Sequence, residues 1–361
     1  MAEDGAPQEL IEILRSAYKD TETCVRVSGN DTPKFPVEFG VKQGCPLSPI
    51  LFNYAIDWIM YNAMRNHSGI VFGQIAGFLQ PLTDLDFAND VAELETTAES
   101  LQGMIDDTYE VSKRIGLAIS GAKTKVLALN QPAPCQVTLD GEPIESVEEF
   151  KYLGSIITPD GGAERDISAR IAKAWGVFTS LKKALWTRRE ISTKTKVRIY
   201  GATVRAVLLY ACETWPIKTE EARTLDVFDH RCLRYILRIK RWDRISNSEV
   251  RSRCGQSEEL SLIIKRRRLK LLGHTLRRPE GTICQDVLVC EPAPSWKRKP
   301  GGQKKNLWKK FKEDLEPWGG FRRHGRRWDK YWLKIAGEAA ADRSKWSSEV
   351  IPRSFGAGQD S

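Results

Sequence analysis

The fold is decided by a short acidic stretch of the chain, Asp84-Leu85-Asp86-Phe87-Ala88-Asn89-Asp90-Val91. Acidic and apolar residues alternate over positions 84–87, which is the period of a half-buried strand. The pair Asn89-Asp90 tolerates turn geometry, and an apolar run resumes directly behind it. The stretch therefore predicts a strand, a tight acidic turn and a returning strand. Such a hairpin can hold carboxylates at a fixed separation, as two-metal phosphoryl transfer requires.

Three more motifs accompany this stretch. One precedes it, Gly40-Val41-Lys42-Gln43-Gly44-Cys45-Pro46-Leu47-Ser48-Pro49-Ile50-Leu51-Phe52. Two follow it, Gly116-Leu117-Ala118-Ile119 with Lys123-Thr124-Lys125, and Phe150-Lys151-Tyr152-Leu153-Gly154. In this order the four blocks resemble those of reverse transcriptases, whose Phe/Tyr-Ala-Asp-Asp box corresponds to residues 87–90. The block at residues 208–215 makes the resemblance closest to polymerases of non-LTR (LINE-type) retrotransposons.

The resemblance implies an RNA or DNA primer–template as partner and Mg²⁺ as the family's cofactor. It implies that Asp90 is a catalytic metal ligand, and that Tyr152, Leu153 and Gly154 form the entry to a primer grip. Contacts with nucleotide or template are implied for a larger set: Gln43, Gly44, Pro46, Ser48, Pro49 and Lys123. For Lys123, a solvated side chain without a ligand is the alternative interpretation.

The chain departs from the family at its metal ligands. The family's first turn aspartate is Asn89 here, which leaves Asp90 as the one aspartate of that pair. The family's other metal aspartate precedes the glutamine-glycine block, and no such motif occurs between Met1 and Gln43. Asp86 could be proposed as a substitute ligand, but a structural role is favoured because it belongs to the family's usual run there. We therefore expect a truncated polymerase with a degenerate Mg²⁺ site and no activity, since metal ions contribute several kcal/mol to such reactions.

Composition indicates a soluble globular protein. The chain has 361 residues, enough for two or three domains, with 41% hydrophobic and 29% charged residues. Its apolar runs are shorter than the roughly 18 residues of a membrane span, and its first residues lack the features of a signal peptide. Eight scattered cysteines favour reduced thiols. We therefore expect an intracellular protein of the nucleus or cytoplasm.

Charge is divided unevenly along the chain. Residues 1–160 contain 11 Lys and Arg against 24 Asp and Glu, a net charge of −13. Residues 161–361 contain 45 against 23, a net charge of +22. A positive part of this size can bind phosphate backbones through counterion release. The acidic front contains the polymerase-like motifs, so we expect separate roles for the two parts.

The hydrophobic periodicities predict an α+β fold in three parts. Residues 1–158 are interpreted as a partial polymerase palm, an antiparallel sheet with helices, including helices at 8–19, 50–64 and 97–115 and a strand at 152–157. Glycine and proline at positions 159–162 mark its end. Residues 163–245 contain three amphipathic helical patterns with short links, which predict a thumb-like bundle. Residues 246–361 are predicted to be a basic, mostly helical region that binds nucleic acid.

Two cationic clusters make this last region a candidate for phosphate contact. The run Lys265-Arg266-Arg267-Arg268 lies on a predicted helix and is denser than solubility requires. The segment Arg322-Arg323-His324-Gly325-Arg326-Arg327-Trp328 interleaves cations with an aromatic ring, which suits single strands. A zinc site is disfavoured, because the candidate ligands lack closely spaced pairs: Cys254, His274, Cys284 and Cys290.

Two functions therefore remain open. The first is a truncated reverse transcriptase-like retrotransposon protein without polymerase activity. The second is a non-catalytic nucleic-acid-binding protein that uses the thumb and the basic region. Primer extension tests the first, and salt-dependent binding of RNA or DNA tests the second.

Overall fold

The computed structural model describes residues 1–2, 5–37, 40–71, 81–129, 135–255, 258–279, 282–289, 306–319, 322–323, 327–328 and 332–355. The structure is 56% helical and 11% strand, so helices dominate a mixed fold. The predicted α+β class is confirmed. In this described part of the chain, no helix combines the length and the apolar character needed to cross a membrane.

Several helices begin at a capping residue or a proline. Thr97 and Ser246 cap two of them by accepting hydrogen bonds from the amides of Ser100 and Glu249. In chain order the α-helices are α1 Gln8–Tyr18, α2 Ser48–Met64, α3 Ala98–Arg114, α4 Glu164–Ser180, α5 Thr193–Tyr200, α6 Ala206–Leu208, α7 Thr219–Ile236, α8 Asn247–Arg253, α9 Leu260–Leu276, α10 Ile283–Val289, α11 Leu307–Leu315, α12 Trp332–Ala341, α13 Arg343–Lys345 and α14 Ile351–Arg353. Short π turns at Lys182–Trp186, Gly201–Arg205 and Trp346–Val350 and 3₁₀ turns at Cys212–Thr214, Arg241–Asp243 and Glu316–Trp318 adjoin them.

The strands are short, and within the described ranges they form two-stranded ladders. In chain order they are β1 Glu22–Thr23, β2 Arg26–Val27, β3 Asn30–Asp31, β4 Phe35–Pro36, β5 Ile70–Val71, β6 Pro81–Leu82, β7 Asp84–Phe87, β8 Asp90–Glu93, β9 Lys125–Val126, β10 Thr138–Leu139, β11 Glu142–Pro143, β12 Glu145–Ser146, β13 Phe150–Tyr152, β14 Ser155–Ile157, β15 Arg322–Arg323 and β16 Arg327–Trp328. The ladder of β9 with β12 is parallel, whereas β7 with β8 and β13 with β14 are antiparallel hairpins.

Two compact units divide the chain. The first comprises residues 1–67, 83–120 and 138–142. Its apolar core is small and lies between α2 and α3, with Ile59, Met60, Ala63 and Met64 opposite Met104 and Val111. The hairpin of β7 and β8 belongs to this unit.

The second unit comprises residues 68–82, 121–137 and 143–361 and contains two apolar cores. The first core is built on α4, α5 and α7, and includes Phe178, Trp186 and Tyr200. The second is built on α11 and α12, and includes Phe311 and Trp346. Helix α9 contributes to both cores. The division of the chain into parts ending at 158 and 245 stays a prediction.

One predicted element is wrong. The sequence predicts a single strand at residues 152–157, but the chain reverses there between β13 and β14. Leu153 and Gly154 form the turn, with φ of 47° and 85°. Both residues have the positive φ that a tight two-residue hairpin turn favours. Apolar residues occur on both sides of this turn, so the hydrophobic pattern alone does not indicate that the chain reverses.

Candidate functional site

The acidic stretch forms the hairpin that its alternation predicts. Strands β7 and β8 are antiparallel, with Asp84 opposite Glu93 and Phe87 opposite Asp90. The two residues between them make the turn, and the first of these, Ala88, has a φ of 55°. Two-residue hairpin turns favour a positive φ at this position. The side chains at positions 89 and 90 are exposed at the tip.

The two faces of this hairpin carry different side chains. Residues that lie opposite one another in an antiparallel pair share a face, so Asp84, Asp86 and Glu93 lie together. Asp90 lies on the other face with Phe87. The one aspartate that matches the family's turn pair is therefore separated from the other carboxylates of the hairpin.

The carboxylates of the first face perturb one another. Partial burial and the charge of Asp84, with smaller effects of Asp57 and Glu93, raise the pKa of Asp86 to about 7. Burial also raises the pKa of Glu93, against the opposing effect of the Thr108 hydroxyl. Asp86 is therefore partly protonated near neutral pH, where an ordinary aspartate is fully ionised.

These residues do not fit a pair of magnesium ions. Mg²⁺ is bound by ionised carboxylates together with waters and phosphate oxygens in a strict octahedron. Asn89 offers a neutral amide, and Asp86 lies on the face opposite Asp90, where its ionised form is disfavoured. Among the residues that the structure describes, no three His, Cys, Asp or Glu side chains are grouped so that they could hold a metal ion. The geometry thus favours the structural role predicted for Asp86.

The glutamine-glycine block forms a turn that leads into α2. Gly44 has a φ of 85°, a conformation that favours glycine, and the amide of Cys45 donates to the carbonyl of Lys42 at 3.2 Å. Ser48 is buried at the start of the helix. Its hydroxyl donates to the Lys42 carbonyl at 2.6 Å and lies 3.1 Å from the hydroxyl of Tyr18. Ser48 therefore stabilises the turn.

The other predicted residues of this block face solvent. Gln43, Pro46 and Pro49 are exposed, and Pro49 occupies the first turn of α2, where its missing N–H costs nothing. Lys123 belongs to the second unit, where it is exposed in the turn before β9. Contact of these residues with nucleotide or template stays a prediction.

The predicted primer-grip residues form the turn between β13 and β14. Tyr152 is the last residue of β13. The carbonyls of Leu153 and Gly154, the two turn residues, each accept a hydrogen bond from a side chain. Tyr210 donates from its hydroxyl to the carbonyl of Leu153 at 3.0 Å. Arg170 donates from its guanidinium to the carbonyl of Gly154 at 2.7 Å, and it lies 4.4 Å from the centre of the Tyr210 ring. The turn is thus fixed by the side chains of Arg170 on α4 and of Tyr210 in the turn that follows α6.

A buried carboxylate completes this network. Asp166 is 3% exposed and accepts hydrogen bonds from the amide of Ile156 at 3.1 Å and from the indole of Trp215 at 2.9 Å. One of its oxygens lies 3.7 Å from Nε of Arg170. The sequence singled out the block that contains Tyr210 and Trp215 but missed Asp166 and Arg170. Their i, i+4 spacing on an amphipathic helix was the available signal.

The cationic run on α9 is engaged within the fold. Arg268 is 1% exposed, and its guanidinium pairs with Asp314 of α11 at 2.6 Å. The prediction that Arg268 contacts a phosphate is corrected here, because its charge is already paired in the core. The other three cations also have internal partners: Lys265 the carbonyl of Ser354, Arg266 the carboxylate of Glu258, and Arg267 the carbonyl of Leu209. Phosphate contact by these three stays a prediction.

The second cationic cluster is described only in part. Residues Arg322–Arg323 and Arg327–Trp328 form the antiparallel pair of β15 and β16. Arg326 lies outside the described residues. Phosphate contact by Arg322, Arg323, Arg326 and Arg327 stays a prediction.

Comparison with known proteins agrees with these motifs. Residues 5–157 match the family model of reverse transcriptase, RNA-dependent DNA polymerase. A transposon-derived protein of Caenorhabditis elegans is 27% identical over 230 residues, which are 61% of this chain and 80% of that protein.

Two insect retrotransposon proteins are also similar. The Pol polyprotein from the type-2 retrotransposable element R2DM of Drosophila melanogaster is 26% identical over 168 residues, 44% of this chain and 15% of that protein. The RNA-directed DNA polymerase from the mobile element jockey of Drosophila funebris is 26% identical over 215 residues, 58% of this chain and 23% of that protein. The chain thus matches less than a quarter of the length of either.

Proposed function

The chain is a reverse transcriptase-like protein related to those of non-LTR retrotransposons, and on this premise we propose that the 361-residue polypeptide does not polymerise nucleotides. The acidic hairpin carries the proposal. Asn89 is neutral, and Asp90 is isolated on its face from the other carboxylates of the hairpin. Metal ions contribute several kcal/mol of charge stabilisation to phosphoryl transfer, and each ~1.4 kcal/mol is tenfold in rate. Loss of the ligand set therefore predicts a rate lower by about a thousandfold or more.

Primer extension with the purified chain tests this proposal. The assay uses annealed primer–templates of RNA and DNA, with Mg²⁺ and in parallel with Mn²⁺. We expect no product above that of Asp90→Asn, which removes the remaining turn carboxylate. Incorporation by the native sequence that disappears in Asp90→Asn would contradict the proposal.

The variant Asn89→Asp tests whether the neutral side chain at position 89 causes the proposed inactivity. It restores the family's pair of aspartates at the turn without changing the size of the side chain. Activity that appears only in Asn89→Asp would assign the inactivity of the native sequence to this one residue. Continued inactivity would show that further ligands are required.

We also propose that the chain binds nucleic acid, a function favoured by the net charge of +22 over residues 161–361. Phosphate binding by cations releases counterions, so the logarithm of affinity falls linearly with the logarithm of salt concentration. Fluorescence anisotropy of labelled RNA and DNA oligonucleotides across a salt series measures this slope. Undetectable binding, or an affinity independent of salt, would contradict the proposal.

A further inference from the structure

The loop between α7 and α8 holds a large aromatic ring in solvent. Trp242 is 77% exposed, more than any other large hydrophobic side chain among the described residues. An indole that packs into a core or an interface removes roughly 150–250 Å² from water. The fold makes no such use of this ring, so the loop carries a feature that packing does not explain.

The backbone of this loop is fixed on both sides of the ring. Ile239 and Ile245 pack against the first apolar core of the second unit. Between them, the amide of Asp243 donates to the carbonyl of Lys240 at 3.2 Å and closes a 3₁₀ turn, which the amide of Lys240 caps by donating to the Asp243 carboxylate at 2.6 Å. Trp242 is therefore presented by an ordered turn whose two ends are anchored in the core.

Cations outnumber acids around the ring. Four exposed cations lie on the loop itself: Arg238, Lys240, Arg241 and Arg244. Its one acid, Asp243, is engaged with the amide of Lys240. The loop thus combines an exposed aromatic face with an excess of positive charge.

A neighbouring segment adds two more cations. Arg238 donates from its guanidinium to the carbonyl of Thr187 at 2.7 Å, which joins the loop to the segment that precedes α5. Arg188 and Arg189 follow in that segment, and both are exposed. Glu190, the next residue, is also exposed, so the loop and this segment together carry six cations and two acids. Burial, and then the charge of Arg238, lower the pKa of Lys196, against the opposing charge of Glu190. The surface therefore keeps a net positive charge.

We propose that these residues form a contact site for single-stranded nucleic acid, in which a base stacks on Trp242 and the cations bind the adjoining phosphates. The site, called the indole patch below, comprises Trp242, Arg188, Arg189, Arg238, Lys240, Arg241 and Arg244. Stacking on an aromatic ring together with a positively charged groove is how proteins bind single strands without sequence preference. A duplex keeps its bases stacked internally and offers the ring no face. The proposal rests on the nucleic-acid binding proposed above and assigns it to a surface outside the clusters at 265–268 and 322–327.

The aromatic part of the indole patch is tested with Trp242→Ala. Stacking of one base is worth about a tenfold change in affinity, so we expect the dissociation constant for a labelled oligonucleotide to rise about tenfold. The slope of affinity against salt stays unchanged, because no phosphate contact is removed. Tyr61→Ala is the matched control, since Tyr61 is a 69% exposed aromatic residue on α2. The control is expected to bind as the native chain does.

The charged part is tested with the double variant Lys240→Ala, Arg241→Ala. Each lost phosphate contact lowers the steepness of the salt dependence by about 0.7 for a single strand. The control Arg15→Ala, Lys19→Ala removes the same charge from exposed positions in the last turn of α1 and directly after it, and it is expected to keep the native slope. Circular dichroism checks that all four variants are folded.

The outcomes separate this proposal from the one on which it rests. If the native chain binds no oligonucleotide, both fail. If it binds but Trp242→Ala and the loop double variant match their controls, the indole patch is overturned and nucleic-acid binding stands. Binding of RNA or of DNA single strands satisfies the proposal. An effect of Trp242→Ala that is equal on a duplex of the same sequence would overturn it.

Discussion

At Asp86 a carboxylic acid is held where its ionised form is disfavoured. Its pKa of about 7 results from partial burial and from the charges of Asp84, Asp57 and Glu93. The folded protein therefore binds this proton more tightly than the unfolded chain, in which a carboxyl pKa is about 3.9. The resulting destabilisation is absent below the unfolded pKa, grows as the pH rises above it, and is complete above about pH 7.

Replacing the Asp86 carboxyl with an amide removes the loss of folding stability that its ionisation causes. We expect Asp86→Asn to raise the melting temperature of the protein at pH 8 and to change it much less at pH 4, because at pH 4 the native carboxyl is protonated in the folded protein and about half protonated in the unfolded chain. Thermal unfolding followed by circular dichroism at the two pH values measures the difference. Asp90→Asn, on the face away from the other carboxylates, is the control and should give no comparable gain at pH 8. A loss of stability in Asp86→Asn at pH 8 would contradict the assignment.

The hairpin of β13 and β14 depends on one helical carboxylate. Asp166 of α4 accepts hydrogen bonds from Ile156 and Trp215, and it faces the buried guanidinium of Arg170. We expect Asp166→Ala to lower the free energy of unfolding by about 3 to 5 kcal/mol, because it leaves a buried cation without its partner. Asp166→Asn, which keeps an acceptor oxygen, should cost less.

Urea unfolding of these variants measures the effect. Glu164→Ala is the matched control on the same helix, since the side chain of Glu164 is 75% exposed and its pairing with Lys218 lies at the surface. Such a surface pair is worth about 0 to 1 kcal/mol. If Asp166→Ala cost no more than Glu164→Ala, the anchoring network would not be what stabilises the hairpin.

The helices and hairpins differ in how well the sequence predicted them. Hydrophobic periodicity predicted α2 and α3 closely, because that signal acts within a few residues. The turn of β13 and β14 was missed because Leu153 adopts a positive φ that its residue type does not indicate. For the acidic hairpin, alternation predicted the strands, and pairing register then separated Asp86 from Asp90.

Over the whole molecule, the count of basic residues overstates the charge available to a ligand. Arg268 and Arg205 are paired in the interior, with Asp314 and Asp229 at 2.6 Å in both cases. Neither partnership is visible in the sequence, because the partners are distant along the chain. The sequence therefore predicted that the cationic run on α9 is exposed, whereas part of it lies between the two cores of the second unit. By contrast, four of the cations beside Trp242 lie on its own loop, and the contact of Arg238 with Thr187 joins that loop to the segment of Arg188 and Arg189.

Helix α9 contributes Leu260 and Ile264 to the first core of the second unit and Leu269 and Leu272 to the second core. A substitution that destabilises α9 should therefore destabilise both cores. Gly273 of α9 is one position for such a substitution. A Cβ added there would lie 2.3 Å from the indole nitrogen of Trp346. That nitrogen donates to the carbonyl of Leu269 at 3.0 Å in the native fold.

We therefore expect Gly273→Ala to lower the free energy of unfolding by about 1 to 3 kcal/mol, the usual cost of overpacking a core. Gly337→Ala in α12 is the matched control, because a Cβ there meets nothing within 4 Å. Removing that helical glycine should stabilise by up to about 1 kcal/mol. Urea unfolding followed by circular dichroism and tryptophan fluorescence should show one shifted transition in Gly273→Ala, since the two cores share a helix. An early separate transition that leaves the signal of the first core intact would mean that α9 does not couple them.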